Sequence, residues 1–197
     1  MKHMKLWLIC GALLVALAGL AFALMPKSFS ARDTPTALEA AIATRLRRLA
    51  MPQAARIQAN PLTSTPELLT DARRHYADHC ATCHANDGSG NTPIGQNLYP
   101  KAPDMRKAHT QNLSDGEIYN IIHNGIRFTG MPAWGPDGPD EDSWKLVLFI
   151  RHLPQLTPEE IKDMEQYNPK SEADRAEEQL EDDFLNGKSV NPQPHHP

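Results

Sequence analysis

The sequence predicts an all-α protein. Apolar residues recur at helical spacing between recognisable helix caps, no segment of strand length alternates apolar and polar residues, and no unit repeats internally. An opening apolar run is long enough to form a helix alone. That run is "LWLICGALLVALAGLAFALM", twenty uncharged residues from Leu6 to Met25, enough to cross a hydrocarbon core of about 30 Å. Lys2 and Lys5 precede it, which keeps the N-terminus cytoplasmic and sends the rest of the chain outward. Its length favours an uncleaved anchor over residues 1–25. The small-residue pattern "AFA" at 21–23 is also compatible with a cleavable signal peptide, and both readings put the remainder across the membrane. Cys10 reads as a small apolar residue within the run.

Residues 26–65 read as linker with one basic amphipathic helix. "PKSFSARDTP" (26–35) is polar and carries two prolines. Thr36 caps "ALEAAIATRLRRLA", with Glu39 placed to complete a capping box and Arg45, Arg47 and Arg48 at the favourable C-terminal end. "MPQAARIQANPLTSTP" is a second linker. Thr65-Pro66-Glu67 then starts a helix running to Cys80, with Leu68, Leu69, Ala72, Tyr76 and Cys80 on one stripe. A loop rich in Gly, Pro and Asn follows, "ANDGSGNTPIGQNLYPKAPDM". Ser114 and Glu117 open a short helix that Gly125 ends. "RFTGMPAWGPDGPD" is a loop, and "DEDSWKLVLFIRHL" (140–153) is a helix with an acidic start and a cationic end. Residues 154–197 read as a polar tail: Ser171 to Phe184 holds seven acids against one arginine, a frayed or partly helical stretch before a disordered end.

Net charge is −4 over 197 residues, but it is divided. Residues 1–60 carry +6 and residues 61–197 carry −10. An acidic later part is a poor nucleic-acid partner, because such a surface needs excess cations. Aromatic residues make up 6% of the chain, so a core built from side chains alone is thin.

The densest chemistry lies in "YADHCATCHANDGSG", where Cys80 and Cys83 stand three apart and His84 follows directly. A structural zinc site wants about four Cys/His ligands, and no second cysteine pair exists. A thioredoxin-type redox pair follows a strand, whereas this pair follows a helix. A simple disulfide leaves His84 unexplained. Covalent haem attachment uses all three residues: each thiol adds across one vinyl group, and the adjacent histidine is directed at the iron. The extracytoplasmic location agrees.

With "CATCH" in the order helix, haem motif, loops, short helix, methionine loop, final helix, residues 66–153 resemble a class I c-type cytochrome, the small mono-haem electron-transfer module. The resemblance covers 88 of 197 residues. It implies an all-helical fold in which the first and last helices cross beside one covalent haem c, which supplies the missing core.

The resemblance also implies a second axial ligand, a methionine in a Gly/Pro-bearing loop before the last helix. Met131 in "FTGMPAWG" fits, with Gly130 allowing close approach and Pro132 stiffening the chain. Met105 falls too soon after His84, Met164 lies in a polar helix beyond the module, and His109 and His123 are weaker candidates. A thioether ligand raises the potential and keeps the iron poorly reactive, which suits an electron carrier rather than an enzyme. Family members give the proximal histidine a proline carbonyl as acceptor. "GQNL" (95–98) has glutamine at that place, and "APDM" (102–105) has Pro103 at a longer spacing; Pro103 is the expectation. Tyr99, Arg127 and Trp134 are candidates to meet the propionates or cover the haem edge.

These readings predict a membrane-anchored mono-haem cytochrome on the periplasmic side of a bacterial cytoplasmic membrane. It would pass single electrons between redox protein partners, with no small-molecule substrate, or serve as the haem subunit of a larger oxidase, reductase or dehydrogenase. A haem enzyme or sensor with an open sixth site is the reading that Met131 opposes.

Overall fold

The computed structural model describes residues 2–24, 30–138 and 140–186, and among these every regular element is helical. The start of the first linker (26–29) and the predicted disordered end (187–197) lie outside the described residues. The chain divides into two units, Met1–Asp33 and Thr34–Pro197.

The first unit contains α1 (Lys2–Leu24), whose stretch His3–Ala23 has a mean hydropathy of 2.5 and no buried residue. Apolar on all sides, it has no stripe to bury against a partner and suits a uniformly apolar surrounding.

The second unit is built on a crossing of α4 (Pro66–His75) and α8 (Glu141–His152). Each begins as the sequence requires. Thr65 Oγ1 accepts the Leu68 N–H with Pro66 at the first position, and the Asp140 side chain accepts the Ser143 N–H. Ala72, Tyr76 and Ala77 on one side meet Trp144, Val147, Phe149 and Ile150 on the other, all buried. The Tyr76 and Phe149 rings stand 5.0 Å apart and tilted, a favourable aromatic arrangement. Beyond His75 the chain continues through a π-helical turn, Tyr76–Cys80, into α5 (Ala81–His84). Such a wide turn marks a functional position more often than a defect. Here it re-aims the last turn, which carries Cys83 and His84.

α7 (Asp115–Asn124) has the expected capping box of Ser114 and Glu117 and ends at Gly125 with φ +66°. Its Ile118 and Ile122 join the core. α6 (Ala108–Gln111) precedes it. Gln111 Nε2 donates to the carbonyls of Met105 and Ile150, each at 2.8 Å, joining the long loop to α8.

Three expectations are corrected by packing. First, α2 (Ala37–Ala50) is capped by Thr36, whose Oγ1 accepts the Glu39 N–H at 3.2 Å. The Glu39 carboxylate does not close the box; it accepts the Tyr99 hydroxyl at 2.6 Å. Second, the stretch read as a second linker carries α3 (Gln53–Ile57), which packs on α7. The Ala55 carbonyl comes so near Gly116 that a Cβ there would stand 2.0 Å away. Met51 is buried, and Asn60 Nδ2 donates to the Trp144 carbonyl at 3.0 Å.

Third, the start of the supposed tail is part of the core. α9 (Pro158–Met164) has its own capping box of Thr157 and Glu160. Met164 is 0% exposed within the core cluster, with Tyr167 packed against it. Arg73 pairs with Glu160 at 3.2 Å and Asp163 at 3.1 Å, and Asn168 Nδ2 donates to the Ala77 carbonyl. α9 thus covers the outer side of α4. α10 (Glu172–Leu185) is the acidic stretch, helical from its Ser171 cap.

Met164→Ala should therefore lower unfolding stability by about 2–5 kcal/mol, the range for emptying a buried large side chain. Urea unfolding followed by far-UV circular dichroism measures it. A loss below about 0.5 kcal/mol, typical of surface changes, would show that α9 adds nothing to the core.

Candidate haem site

Cys80 ends the π-helical turn and Cys83 and His84 end α5, so all three lie within the last turns of the α4–α5 segment. Both thiols are free, and both are half-buried. Burial pushes the Cys80 thiol up to about 12, with Cys83 adding to the shift, and burial also raises Cys83. The two are thus held as neutral thiols, the form that is slow to pair as a disulfide or to bind a metal.

The chain leaves the helix at Ala85, a non-glycine residue at φ +60°. That conformation is costly for an L-residue, and three hydrogen bonds hold it. The Ala85 N–H donates to the Ala81 carbonyl at 2.8 Å, the Tyr76 hydroxyl donates to the Ala85 carbonyl at 3.1 Å, and Gly88 N–H donates to the same carbonyl. The loop then folds back under the histidine. Gly90 N–H donates to the His84 carbonyl and Met105 N–H to the Gly88 carbonyl, each at 2.8 Å. Thr92 Oγ1 donates to the Cys83 carbonyl at 3.2 Å and accepts the Gly95 N–H at 2.8 Å.

This folding sets Pro103 beside His84. Gly90 sits at φ +72°, and a Cβ there would stand 2.4 Å from the Ala102 oxygen and 3.1 Å from the Pro103 oxygen. Only a hydrogen at position 90 lets the 102–103 backbone approach the motif. Burial makes the His84 ring harder to protonate, and the Pro103 carbonyl acts in the opposite direction. Nδ1 is buried without a hydrogen bond of normal geometry. The carbonyl is thus near enough to act on the ring's charge but not drawn into a full bond.

The Pro103 carbonyl acts on this ring, and a carbonyl that accepts the proton on Nδ1 leaves the other ring nitrogen as a ligand. Together with two free thiols three residues apart, this fits a covalently held haem. Among the described residues no cluster of three or more His, Cys, Asp or Glu is placed to hold a bare metal ion.

Met131 lies in the loop between α7 and α8, half-buried. The last carbonyls of a helix lack partners within it, and here the loop supplies them. Gly125 N–H takes the Ile121 carbonyl, Trp134 N–H the Ile122 carbonyl at 3.1 Å, and Gly135 N–H the His123 carbonyl at 3.0 Å. Ile126 N–H closes the loop on the Met131 carbonyl at 3.0 Å. The loop touches the segments on either side of the motif at two points. Gly130 lies against Leu98, whose Cδ2 would be 2.6 Å from a Cβ at 130. The Trp134 ring meets the ring of His79, next to Cys80, edge-on at 5.4 Å.

Behind the loop His123 is held rather than free. Its Nδ1 contacts Asp140 Oδ2 at 3.1 Å, its ring stacks on Tyr119, and Tyr119 stacks on Trp144 with centroids 4.1 Å apart. It is a packing and hydrogen-bonding residue of the α7–α8 contact. Burial would raise the Asp140 carboxyl, but hydrogen bonds from the Ser143 hydroxyl and N–H and from His123 together lower it.

The structure thus brings together Cys80, Cys83, His84 and Pro103, and leads the Met131 loop and Trp134 to the same end of the helix pair. Tyr99 bonds Glu39 of α2, and Arg127 stands on the exposed outer part of the loop. Met105, set aside as a ligand, is a core residue at 7% exposure. Sequence reading missed Gly90, Thr92 and Leu98, the residues that carry Pro103 and Gly130 to the motif. Their signal was the glycine density of 88–95, which marks a turn but not what the turn approaches. Two shallow depressions of about 320 and 430 Å³, lined by residues such as Asp71, His75, Asp142 and Lys145, lie on the α4–α8 side without any motif residue.

Residues 67–150 match a family described as "Cytochrome C oxidase, cbb3-type, subunit III". Two curated relatives are described as "Cbb3-type cytochrome c oxidase subunit FixP", from Rhizobium meliloti (strain 1021) and Sinorhizobium medicae (strain WSM419). Each is 32% identical over 91 residues, covering 46% of this chain and 29% of the relative. The chain therefore spans under a third of the length of these relatives. The matched segment coincides with the helix pair, the Cys80–His84 motif and the Met131 loop.

Two predictions follow from this geometry. Gly90→Ala adds strain worth about 1–3 kcal/mol and pushes the 102–103 backbone from the ring. The yield of haem that stays bound after denaturation should fall severalfold; unchanged yield and stability would sink the cradle. Asp140 is lowered in the folded protein, so its contribution is complete above the ordinary carboxylate value of 3.8 and is lost as pH falls through the lower folded value. The stability gap between the protein and Asp140→Asn should be constant near neutrality and shrink only below about pH 4. A gap that closes between pH 5 and 7 would assign the effect to another group.

Proposed function

We propose that residues 67–150, which match the cbb3-type subunit III family, are a c-type cytochrome domain and that the protein is a membrane-anchored mono-haem electron carrier. Cys80 and Cys83 would hold one haem covalently, and His84 and Met131 would supply its iron ligands. The observation that carries the reading is the buried His84 Nδ1 beside the Pro103 carbonyl, at the end of a helix bearing two free thiols. When bound, the haem supplies a one-electron couple. The chain's own contribution is to hold both ligands nearly fixed. His84 is oriented by Pro103, and Met131 is carried by a loop tied to the end of α7. Fixed ligands keep the structural change between oxidation states small. A thioether raises the reduction potential.

The relatives' descriptions favour a specific setting, a subunit of a cbb3-type oxidase, in which this chain would be the haem subunit. The apolar α1, with Lys2 and Lys5 before it, suits an anchor that leaves the haem domain outside the cytoplasm. Redox proteins, not nucleic acids or small molecules, are then the partners.

The test is Met131→Ala in the full chain, produced in cells that mature c-type cytochromes. Covalent haem should remain. The weak long-wavelength iron–sulfur band of the oxidised protein should vanish, the potential should fall, and the reduced protein should bind carbon monoxide. Wild-type protein that is already high-spin and binds carbon monoxide would mean an open iron and an enzyme or sensor. Co-purification of an oxidase with the tagged wild type would establish the subunit setting, and its absence would leave a separate carrier.

A further inference from the structure

Helix α2 is amphipathic, yet it gives its polar side to its own domain. At about 100° per residue, Leu38, Ile42, Leu46 and Leu49 share one side, and Arg47 lies opposite. Arg47 is the one residue of the helix that is not exposed. On the flanks, the Glu39 carboxylate accepts the Tyr99 hydroxyl at 2.6 Å and Arg48 pairs with Glu117 at 3.3 Å. The four apolar side chains are left 51–75% exposed. Scattered surface leucines need no explanation, but a continuous stripe turned away from its own core implies a cover.

Charge and connectivity identify that cover as lipid. Arg45, Arg47 and Arg48 gather at the end of α2, with Arg56 soon after, in a chain whose residues 61–197 carry −10. Of these, Arg47 faces the domain and Arg48 pairs with Glu117, which leaves Arg45 beside the apolar stripe, as in a helix lying in a membrane interface with anionic headgroups. Arg45 is on the apolar side, where a long side chain places its charge at headgroup depth while its stem stays with the leucines. The apolar run of α1 ends at Ala23 and α2 begins at Ala37. The residues between, at about 3.5 Å each, keep the start of α2 within about 50 Å of the end of that run.

We propose that the Leu38–Ile42–Leu46–Leu49 face of α2 lies in the headgroup region of the bilayer that α1 spans, with Arg45 at the lipid phosphates. The haem domain is then held on the membrane surface instead of swinging on a free tether. Through the Glu39–Tyr99 and Arg48–Glu117 contacts, α2 sets which side of the domain faces the lipid. The inference rests on the membrane-anchored reading above.

The test uses the haem-loaded full chain with Cys10→Ala, in nanodiscs of mixed phosphatidylcholine and phosphatidylglycerol. Nitroxides are attached singly through Ile42→Cys, Leu46→Cys and Thr44→Cys, with Val15→Cys as a control in α1. At 42 and 46, collision with oxygen relative to a nickel chelate should exceed that at 44 severalfold, as for groups about 5–10 Å into the boundary. Equal ratios at 42, 44 and 46 would place the face in water and overturn the proposal. Dipolar broadening at 42 between labelled chains would overturn it in favour of a second copy, and labels immobilised and closed to both reagents would overturn it in favour of a protein cover. If Val15 itself lacks the lipid pattern, the anchor reading fails first. The haem spectrum of each sample reports on the cytochrome domain independently.

Discussion

Tyr76 is the residue on which the site depends most directly. It has no exposed surface, its ring packs on Phe149 where the two long helices cross, and its hydroxyl donates to the Ala85 carbonyl. Burial lifts its ionisation well above the ordinary value, so it stays a neutral donor throughout the physiological range. One side chain thus couples the core to the strained residue immediately after His84. A buried hydroxyl without its acceptor is costly, so the helix crossing and the exit of the chain from the motif cannot relax independently. The π-helical turn that begins at Tyr76 belongs to the same arrangement, because it sets the rotation between the core-facing stripe and the last turn with Cys83 and His84.

The rest of the site is assembled from backbone groups more than side chains. The 85–105 loop returns beneath the motif through hydrogen bonds to the carbonyls of Cys83 and His84, and the Met131 loop is pinned by the carbonyls that end α7. In both places unsatisfied helix ends are completed by the loop that carries a functional residue. Glycine is required where these loops close. At Gly90 a side chain would collide with the 102–103 backbone. At Gly125, with φ +66°, it would stand 2.6 Å from the chain at 132–133.

Segments outside the matched cytochrome residues are not passive appendages. α3 is wedged on α7, and α9 covers α4 through Met164 and the Arg73 ion pairs. α2 is fastened by polar contacts and shows its leucines outward. An acidic, soluble-looking domain therefore has one basic and apolar side, next in sequence to the apolar α1. Were α1 to span a membrane as proposed, that asymmetry would restrict which faces of the domain a partner can approach.

The sequence by itself determined the helices with strong caps and the chemistry of the motif. Thr65-Pro66, Ser114 with Glu117, and Asp140 are local signals that need only their neighbours, and each begins a helix where expected. Cys80, Cys83 and His84 are adjacent, so their joint chemistry was readable without a fold. Of the two candidate acceptors, Pro103 has a carbonyl that acts on the His84 ring, while Gln96 donates to the Gly90 carbonyl. Tertiary structure alone decided the partners of groups far apart in sequence. Glu39 took Tyr99 instead of its own cap, Met51 and Met164 were buried from stretches that read as linker and tail, and His123 found Asp140. These outcomes depend on which surfaces meet once α4 and α8 cross. Local propensity contains nothing about a partner sixty or ninety residues away; only the packed chain does.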